Sequence, residues 1–300
     1  MPRGKFKFVK ACSLAGGVLF LCLLGWALIV AGRPLPRPPL PNPNGYDDFL
    51  RAQKEMVGYY GDVTTTSAEQ LREHLAKNAE ALKLLRRGLA KQCRIPLEFS
   101  TNYLFLRSLG GVKKLVWLIR ADGRLAELER RTNDAAKIYV EAIRYGQESC
   151  RGGVMIDRLV GIACETIGIS ALEKIRANLD AETCLVTLRQ LREAERREEP
   201  VADVFRNERE WMRMNVSLWQ RLRTKIPVAG LNPVKPAQQT LVKSCQQFQQ
   251  QLKSLIIAVA AHAYELEHGR RPKNLDELVP EYLDAIPIDP FTGTNLTYTP

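Results

Sequence analysis

Histidine is scarce, with three in 300 residues, and the glycines build none of the loops that cradle phosphates. Gly110-Gly111 precede Lys113 and Lys114, but a phosphate loop needs G-x-x-x-x-G-K-[ST] after a strand, and neither condition is met. No glycine-rich dinucleotide fingerprint follows a strand, and no G-x-S-x-G nucleophile elbow occurs. The one histidine–carboxylate cluster is His262, Glu265 and His268. Its i, i+3, i+6 spacing turns the two imidazoles about 120° apart on a helix, whereas a zincin needs them at i and i+4. No Cys-x-x-Cys pair occurs, and Cys93, Cys150, Cys164, Cys184 and Cys245 are too scattered for a zinc site. The sequence therefore assigns no catalytic, cofactor-binding or metal-ligating set. A triad gathered from distant residues stays open.

Long apolar runs are equally scarce. The one present, Ala11 to Gly32, has twenty-two residues without a charge. At 1.5 Å per residue it makes a helix of about 33 Å, the hydrocarbon thickness of a bilayer. A cleaved signal peptide has a shorter apolar core, and the small-residue exit Val30-Ala31-Gly32 here runs straight into Arg33-Pro34. The run therefore reads as a retained anchor. Arg3, Lys5, Lys7 and Lys10 precede it, so the positive-inside rule places residues 1–10 in the cytoplasm and everything after 32 outside. The expected location is the bacterial inner membrane, spanned once.

Acidic residues are in deficit, 33 against 44 basic, for a net charge of +11. In an exported domain that surplus points to anionic lipid or cell-wall polymer and not to nucleic acid. The charges interleave, as in Leu191 to Pro200, which is the pattern of a solvated helix face. Five exported cysteines leave at least one unpaired or joined between chains if bridges form, and buried free thiols are the favoured alternative.

The expected fold is mainly α: an N-terminal transmembrane helix, an extracytoplasmic helical bundle or helical-hairpin array, and a small α+β C-terminal tail. Residues 33–45 form a proline-rich, extended spacer. A helical domain follows over 46–225. It opens with a short helix from Tyr46 and then a capping box at Ser67 to Gln70. Leu71, Leu75, Asn78, Leu82, Leu85 and Leu89 predict one stripe on one helix, with Asn78 fixing its register. Gly110-Gly111 predict a break or kink in the apolar stretch Thr101 to Arg120. Ala121 to Tyr145 reads as a helix, a Thr132-Asn133-Asp134 turn and a second helix. Helices over Val154 to Leu179, Ala181 to Glu199, which Asp180 caps, and Val201 to Leu222 follow, the last carrying Trp211, Met212, Met214 and Trp219 as core residues. Residues 226–236 form a proline-bounded linker. Residues 237–300 hold a long helix to His268, with a seam at Leu241, Cys245, Phe248, Leu252, Leu255, Val259, Ala263 and Leu266, stopped by Gly269. Asn274 to Val279 is a helical turn, Asp289 to Gly293 a tight turn, and Asn295 to Thr299 a strand.

Two resemblances rest on quoted residues. Ala135, Tyr139, Ala142 and Ile143 resemble helix B of a tetratricopeptide repeat, a family of stacked helical hairpins. The order Tyr264, His268-Gly269, Arg271-Pro272, Leu275, Leu278-Val279-Pro280, Tyr282-Leu283, Pro287, Asp289-Pro290-Phe291-Thr292-Gly293 and Tyr298 resembles the C-terminal part of type II secretion major pseudopilins. Similar tails occur in membrane-anchored proteins of planctomycete-like bacteria. That resemblance implies an extracytoplasmic assembly or scaffolding role. The function expected is thus a membrane-anchored helical scaffold that binds an envelope protein partner. The alternative is a hydrolase of cell-wall material, whose pocket would gather several of Glu165, His74, His262 and Glu265. The sequons at Asn215 and Asn295 bear on neither reading in a bacterium.

Overall fold

The computed structural model describes residues 38–58, 61, 63–97, 103–215 and 234–298. Two compact units divide the chain, Met1–Pro38 and Pro39–Pro300. The expected transmembrane run 11–32, the spacer up to 37, Trp219 and the linker up to 233 lie outside the described residues. Among the described residues no helix is long and apolar enough to cross a membrane. The second unit is built from α-helices, nine among the described residues, and is mainly α as expected. The strand expected at Asn295 shrinks to a single antiparallel bridge with Ile288.

Helix α1 (Gly45–Glu55) is capped by Asn44, whose Oδ1 accepts from Tyr46 N and from Arg94 N. It buries Tyr46, Phe49 and Ala52, three positions on one helical face. The Ser67–Gln70 capping box forms as expected and opens α2 (Ala68–Lys77). The single stripe to Leu89 does not run on one helix: the chain breaks at Asn78, and α3 (Ala79–Leu89) starts anew. The cause is the asparagine side chain, which competes with the helix for backbone partners. Its Nδ2 donates to His74 O and to Val57 O, both at 2.9 Å, and its Oδ1 accepts from Val57 N at 2.8 Å. Asn78 therefore clamps the loop after α1.

Gly110-Gly111 do not break the chain either. Helix α4 runs unbroken over Tyr103–Leu128, because Val112, Leu115, Val116, Leu118 and Ile119 bury the part beyond the glycines. That burial outweighs the roughly 1 kcal/mol that each glycine costs a helix. The turn expected at 132–134 accordingly moves back to Glu129–Arg131. Arg130 takes φ +61°, Arg130 N donates to Glu127 O, and Arg131 N donates to Ala126 O, the bonding of a Schellman stop with arginine where glycine is usual. Thr132 then opens α5 (Thr132–Cys150).

The hairpin of α5 and α6 (Met155–Ile175) is the spine of the unit. Gly146, Gly161 and Gly168 sit where the two helices touch: a Cβ on Gly146 would meet Glu165 N at 2.7 Å, and one on Gly161 would meet Gly146 O at 2.8 Å. One side of the hairpin joins a core with α1, α3 and α4 that holds Phe49, Leu85, Leu115 and Tyr145. The other side joins a core with α7 (Ala181–Arg196), the long α9 (Val234–His268) and the C-terminal segment. Asp180 caps α7 through Thr183 N, as expected. That helix stops at Arg196, and Pro200 stands before α8 (Val201–Asn215). Of the expected core residues on α8, Trp211 packs half-buried against Leu97 and Val154, whereas Met214 lies on the surface.

Helix α9 begins at Val234, so the last three residues assigned to the linker belong to its first turn. Proline is tolerated there because the early N–H groups have no partner within the helix. Its seam is buried from Leu241 to Ala263, but Leu266 is 45% exposed because the last turn projects past its neighbours. Between Leu252 and Tyr264 the helix is buried on nearly every side, by α6 and α7 on one flank and by the tail on the other. Helices on both sides of 226–236 thus share one core.

Candidate functional site

The tail reaches its place by local chemistry. Gly269, at φ +67°, ends α9 with its N–H on Glu265 O. Asn274 caps the short turn Leu275–Leu278, and Leu275, Leu278, Tyr282 and Leu283 then bury against α9. The Asp289-Pro-Phe-Thr-Gly turn closes as its residues dictate. Asp289 Oδ1 accepts from Phe291 N, Gly293 takes φ +72°, and Leu296 N donates to Pro287 O. Gln246 and Lys253 of α9 donate to Pro290 O and Ile288 O and pin this hairpin to the helix.

The returning segment Leu296 to Tyr298 leaves a groove of about 380 Å³ along α9. Ile257, Ala258 and Ala261 make a low apolar floor. Arg176, His262, Glu265 and Arg271 make a polar rim. His262 lies with Nε2 3.1 Å from Leu179 O, a contact in which the ring nitrogen must donate. Glu265 faces Arg271 at 3.5 Å, and Arg176 pairs with Glu173 at 2.8 Å. The rim thus carries both signs of charge and is largely self-neutralised.

Of the four residues considered for a hydrolytic pocket, only His262 and Glu265 share this groove. His74 is buried under Asn78, near its Nδ2, and burial lowers its pKa. Glu165 is wholly buried in the spine. His268 turns away from His262, stacks on Tyr264 with ring centroids 4.0 Å apart, and bonds to Tyr264 O. Among the described residues no group of three His, Cys, Asp or Glu is placed to hold a metal. Cys93, Cys150, Cys164, Cys184 and Cys245 are all free and buried, which decides between the two alternatives left by their spacing.

Sequence reasoning missed a buried polar hub at the Gly152-Gly153 turn. The Arg158 guanidinium, 2% exposed, pairs with Glu165 and with Glu198 and lies over the Phe248 ring. Glu198 also accepts from Gln249 of α9. Asp157 caps α6 through Val154 N, Glu199 accepts from Gly152 N, and Glu208 of α8 accepts from Met155 N. Glu198 and Glu199 lie in the stretch read as a solvated face. They turn inward because α7 has already ended and the buried turn at 152–155, with Arg158 just beyond it, offers them backbone N–H donors and a guanidinium. Burial pushes the Asp157 carboxyl up to about 7, against the pull of Val154 N–H and with help from the charges of Glu208 and Glu199. Burial likewise raises Glu199 and Glu208. The signal that could have flagged the hub is Arg158 and Glu165, seven residues apart on one face of a largely apolar helix. With every carboxylate there committed to a helix end or to Arg158, the hub joins α5, α6, α8 and α9.

No family model, curated protein or solved structure matches the chain.

Proposed function

We propose that the chain is a single-pass, membrane-anchored scaffold of the bacterial cell envelope, with its helical unit outside the cytoplasmic membrane. It docks a segment of an envelope protein partner in the groove between α9 and the closing hairpin. The observation that carries the reading is the groove itself: a floor of small apolar side chains, Ala258 and Ala261, under a rim with guanidinium, imidazole and carboxylate groups. Such a surface offers van der Waals contact at the centre and orienting polar contacts at the edge. The rim, with Arg271 already facing Glu265 and Arg176 paired with Glu173, fits a partner segment of little net charge that sets polar groups beside a small apolar side chain. The pseudopilin-like order of the tail supports an assembly role, and the apolar run 11–32 with its basic flank supports the anchor. Of the 44 basic residues six precede Pro38, with no acidic residue among them, so the rest of the chain carries a surplus of only five. Most of the net charge thus belongs to the anchor and its flanks, where the positive-inside rule uses it.

A photo-crosslinking side chain placed at Thr297, in the groove, and at exposed Glu80, on α3, tests the reading in native membranes. One adduct should form at Thr297, fail to form at Glu80, and disappear when Ala258→Trp fills the floor. Protease added to spheroplasts should cut the helical unit from outside. Equal labelling at both positions, or protection of the unit from external protease, sinks the proposal.

A further inference from the structure

A second cleft, between α5 and α7, draws on other residues. It encloses about 270 Å³, with Arg144 and Glu148 on one wall and Arg189, Gln190, Glu193 and Arg197 on the other. Residues 144 and 148, and residues 189, 193 and 197, follow at four-residue steps, so each set lines one helix face. Gln147 Nε2 donates to Ala194 O at 2.9 Å and holds the two walls together. The carboxylates of the cleft are already committed. Glu148 pairs with Arg151 at 3.0 Å, and Glu193 pairs with Arg196 at 3.0 Å and with Arg197 at 2.5 Å. The remaining cations are not. Arg144 gives one N–H to Leu89 O at 3.0 Å, Arg189 reaches Leu185 O at 3.5 Å, and among the described residues neither has a carboxylate partner. Beside them the Gln190 Oε1 is buried without a hydrogen-bond partner.

Two uncompensated guanidiniums face one small cleft, with a third, that of Arg197, at its edge. Planar guanidinium forks match tetrahedral phosphate oxygens two at a time, and a phosphate monoester carries about −1.5 to −2 at neutral pH. A single carboxylate would leave one of the two surplus charges unanswered, whereas a phosphate monoester answers both. The Gln190 amide, rotated to present its NH2, would donate to an ester oxygen and so end its own isolation. We propose that the α5/α7 cleft is a binding site for a phosphate monoester, held by Arg144 and Arg189, with Arg197, paired to Glu193, at its edge.

The test titrates inorganic phosphate, glycerol 3-phosphate, a short-chain phosphatidic acid and succinate into the purified full chain by calorimetry at low ionic strength. Saturable one-site binding of the phosphates is expected, weakened about tenfold or more by Arg189→Ala and by Arg144→Gln. Arg72→Ala, in an exposed pair elsewhere on the unit, should leave it unchanged. Thermal unfolding of each variant, matched to the parent, separates lost binding from lost folding. Tighter binding of the phosphatidic acid than of glycerol 3-phosphate assigns the group to a lipid headgroup, and equal binding assigns it to a soluble ester. Either result supports the site. Absence of saturable heat, parent-like binding by folded Arg189→Ala, or tighter binding of succinate than of phosphate overturns it.

Discussion

Two glycines in helices separate backbone packing from helix propensity. Gly168 of α6 faces α5 so closely that a Cβ would lie 2.8 Å from Tyr139 O, 2.8 Å from Ile143 Cγ1 and 3.0 Å from Ile143 N. Gly110 of α4 has nothing within 4 Å of its Cβ position. Alanine gains about 1 kcal/mol of helix propensity over glycine at either site. At Gly110 that gain stands alone. At Gly168 it meets an overpacking cost of about 1–3 kcal/mol, at the high end because two of the three neighbours are backbone atoms that move only if α5 moves. The net is about 1 kcal/mol of stabilisation for Gly110→Ala and about 1–2 kcal/mol of destabilisation for Gly168→Ala. At roughly 2–4 °C per kcal/mol for a unit of this size, the two variants should melt about 4–12 °C apart. Far-ultraviolet circular dichroism on heating, with urea titrations for the midpoint and slope, measures both. If Gly168→Ala melts at or above the parent, α5 and α6 do not meet backbone to backbone, and the description of the spine is wrong.

Four further outcomes follow from named contacts. Arg158→Met strands Glu165 in the core without its cation and should cost about 3–5 kcal/mol, most of it recovered by adding Glu165→Leu; a double variant no better than the single in urea midpoint refutes the pairing. Asp157, with its folded pKa raised to about 7, holds an extra proton in the folded state between about pH 4 and 7, and Glu199 and Glu208, raised as well, add to the same effect above about pH 4. Stability from these groups is complete below that window and falls as the pH rises through it, by up to about 1.4 kcal/mol per pH unit for each carboxylate. Glu277 is held down to about 2 by Arg270 and the Lys273 N–H, and Asp180 is lowered by the Thr183 N–H, so both lose their contribution as the pH falls below about 4. Unfolding midpoints should therefore peak near pH 4, with the upper limb flattened by Asp157→Asn; a higher midpoint at pH 8 than at pH 5 contradicts the hub. Arg130→Gly relieves a side chain at φ +61° and should raise stability by up to about 1 kcal/mol, read as a shifted urea midpoint with unchanged slope. Burial pushes the Cys93 and Cys164 thiols up to about 12, so with Cys12 and Cys22 replaced by serine an aromatic disulfide reagent should find no thiol in the native chain and five after unfolding; rapid native reaction contradicts the burial.

Local chemistry was readable wherever one residue type decides the backbone. The Ser67 capping box, the Asp180 cap, the Gly269 stop and the Asp289–Gly293 turn each form where the sequence places them, because each needs only neighbours within four residues. Errors appeared where distant packing overrules a local preference. Gly110-Gly111 lower helix propensity, but five buried side chains beyond them belong to a core that periodicity cannot reveal. Asn78 keeps the spacing of the stripe and yet breaks it, because its partner Val57 lies twenty-one residues away. Arg130 carries no sign of a helix stop at all, since the left-handed turn there is imposed by the packing of α4 against α5.

The candidate site depends on the same distinction. His262 and Glu265 stand out in the sequence as the rare histidine beside a carboxylate, and both do line a groove. What makes the groove, however, is the return of Leu296 to Tyr298 across α9, and that depends on Leu275, Leu278, Tyr282 and Leu283 being buried against the helix. The tail is therefore a structural part of the core and not a module that can be cut away at Gly269. Removing it would expose the apolar flank of α9 along with the groove, and loss of a partner would then report unfolding. Single substitutions that fill the floor at Ala258 leave Leu275, Leu278, Tyr282 and Leu283 seated. Only a change of that kind separates what the groove binds from what the tail holds together.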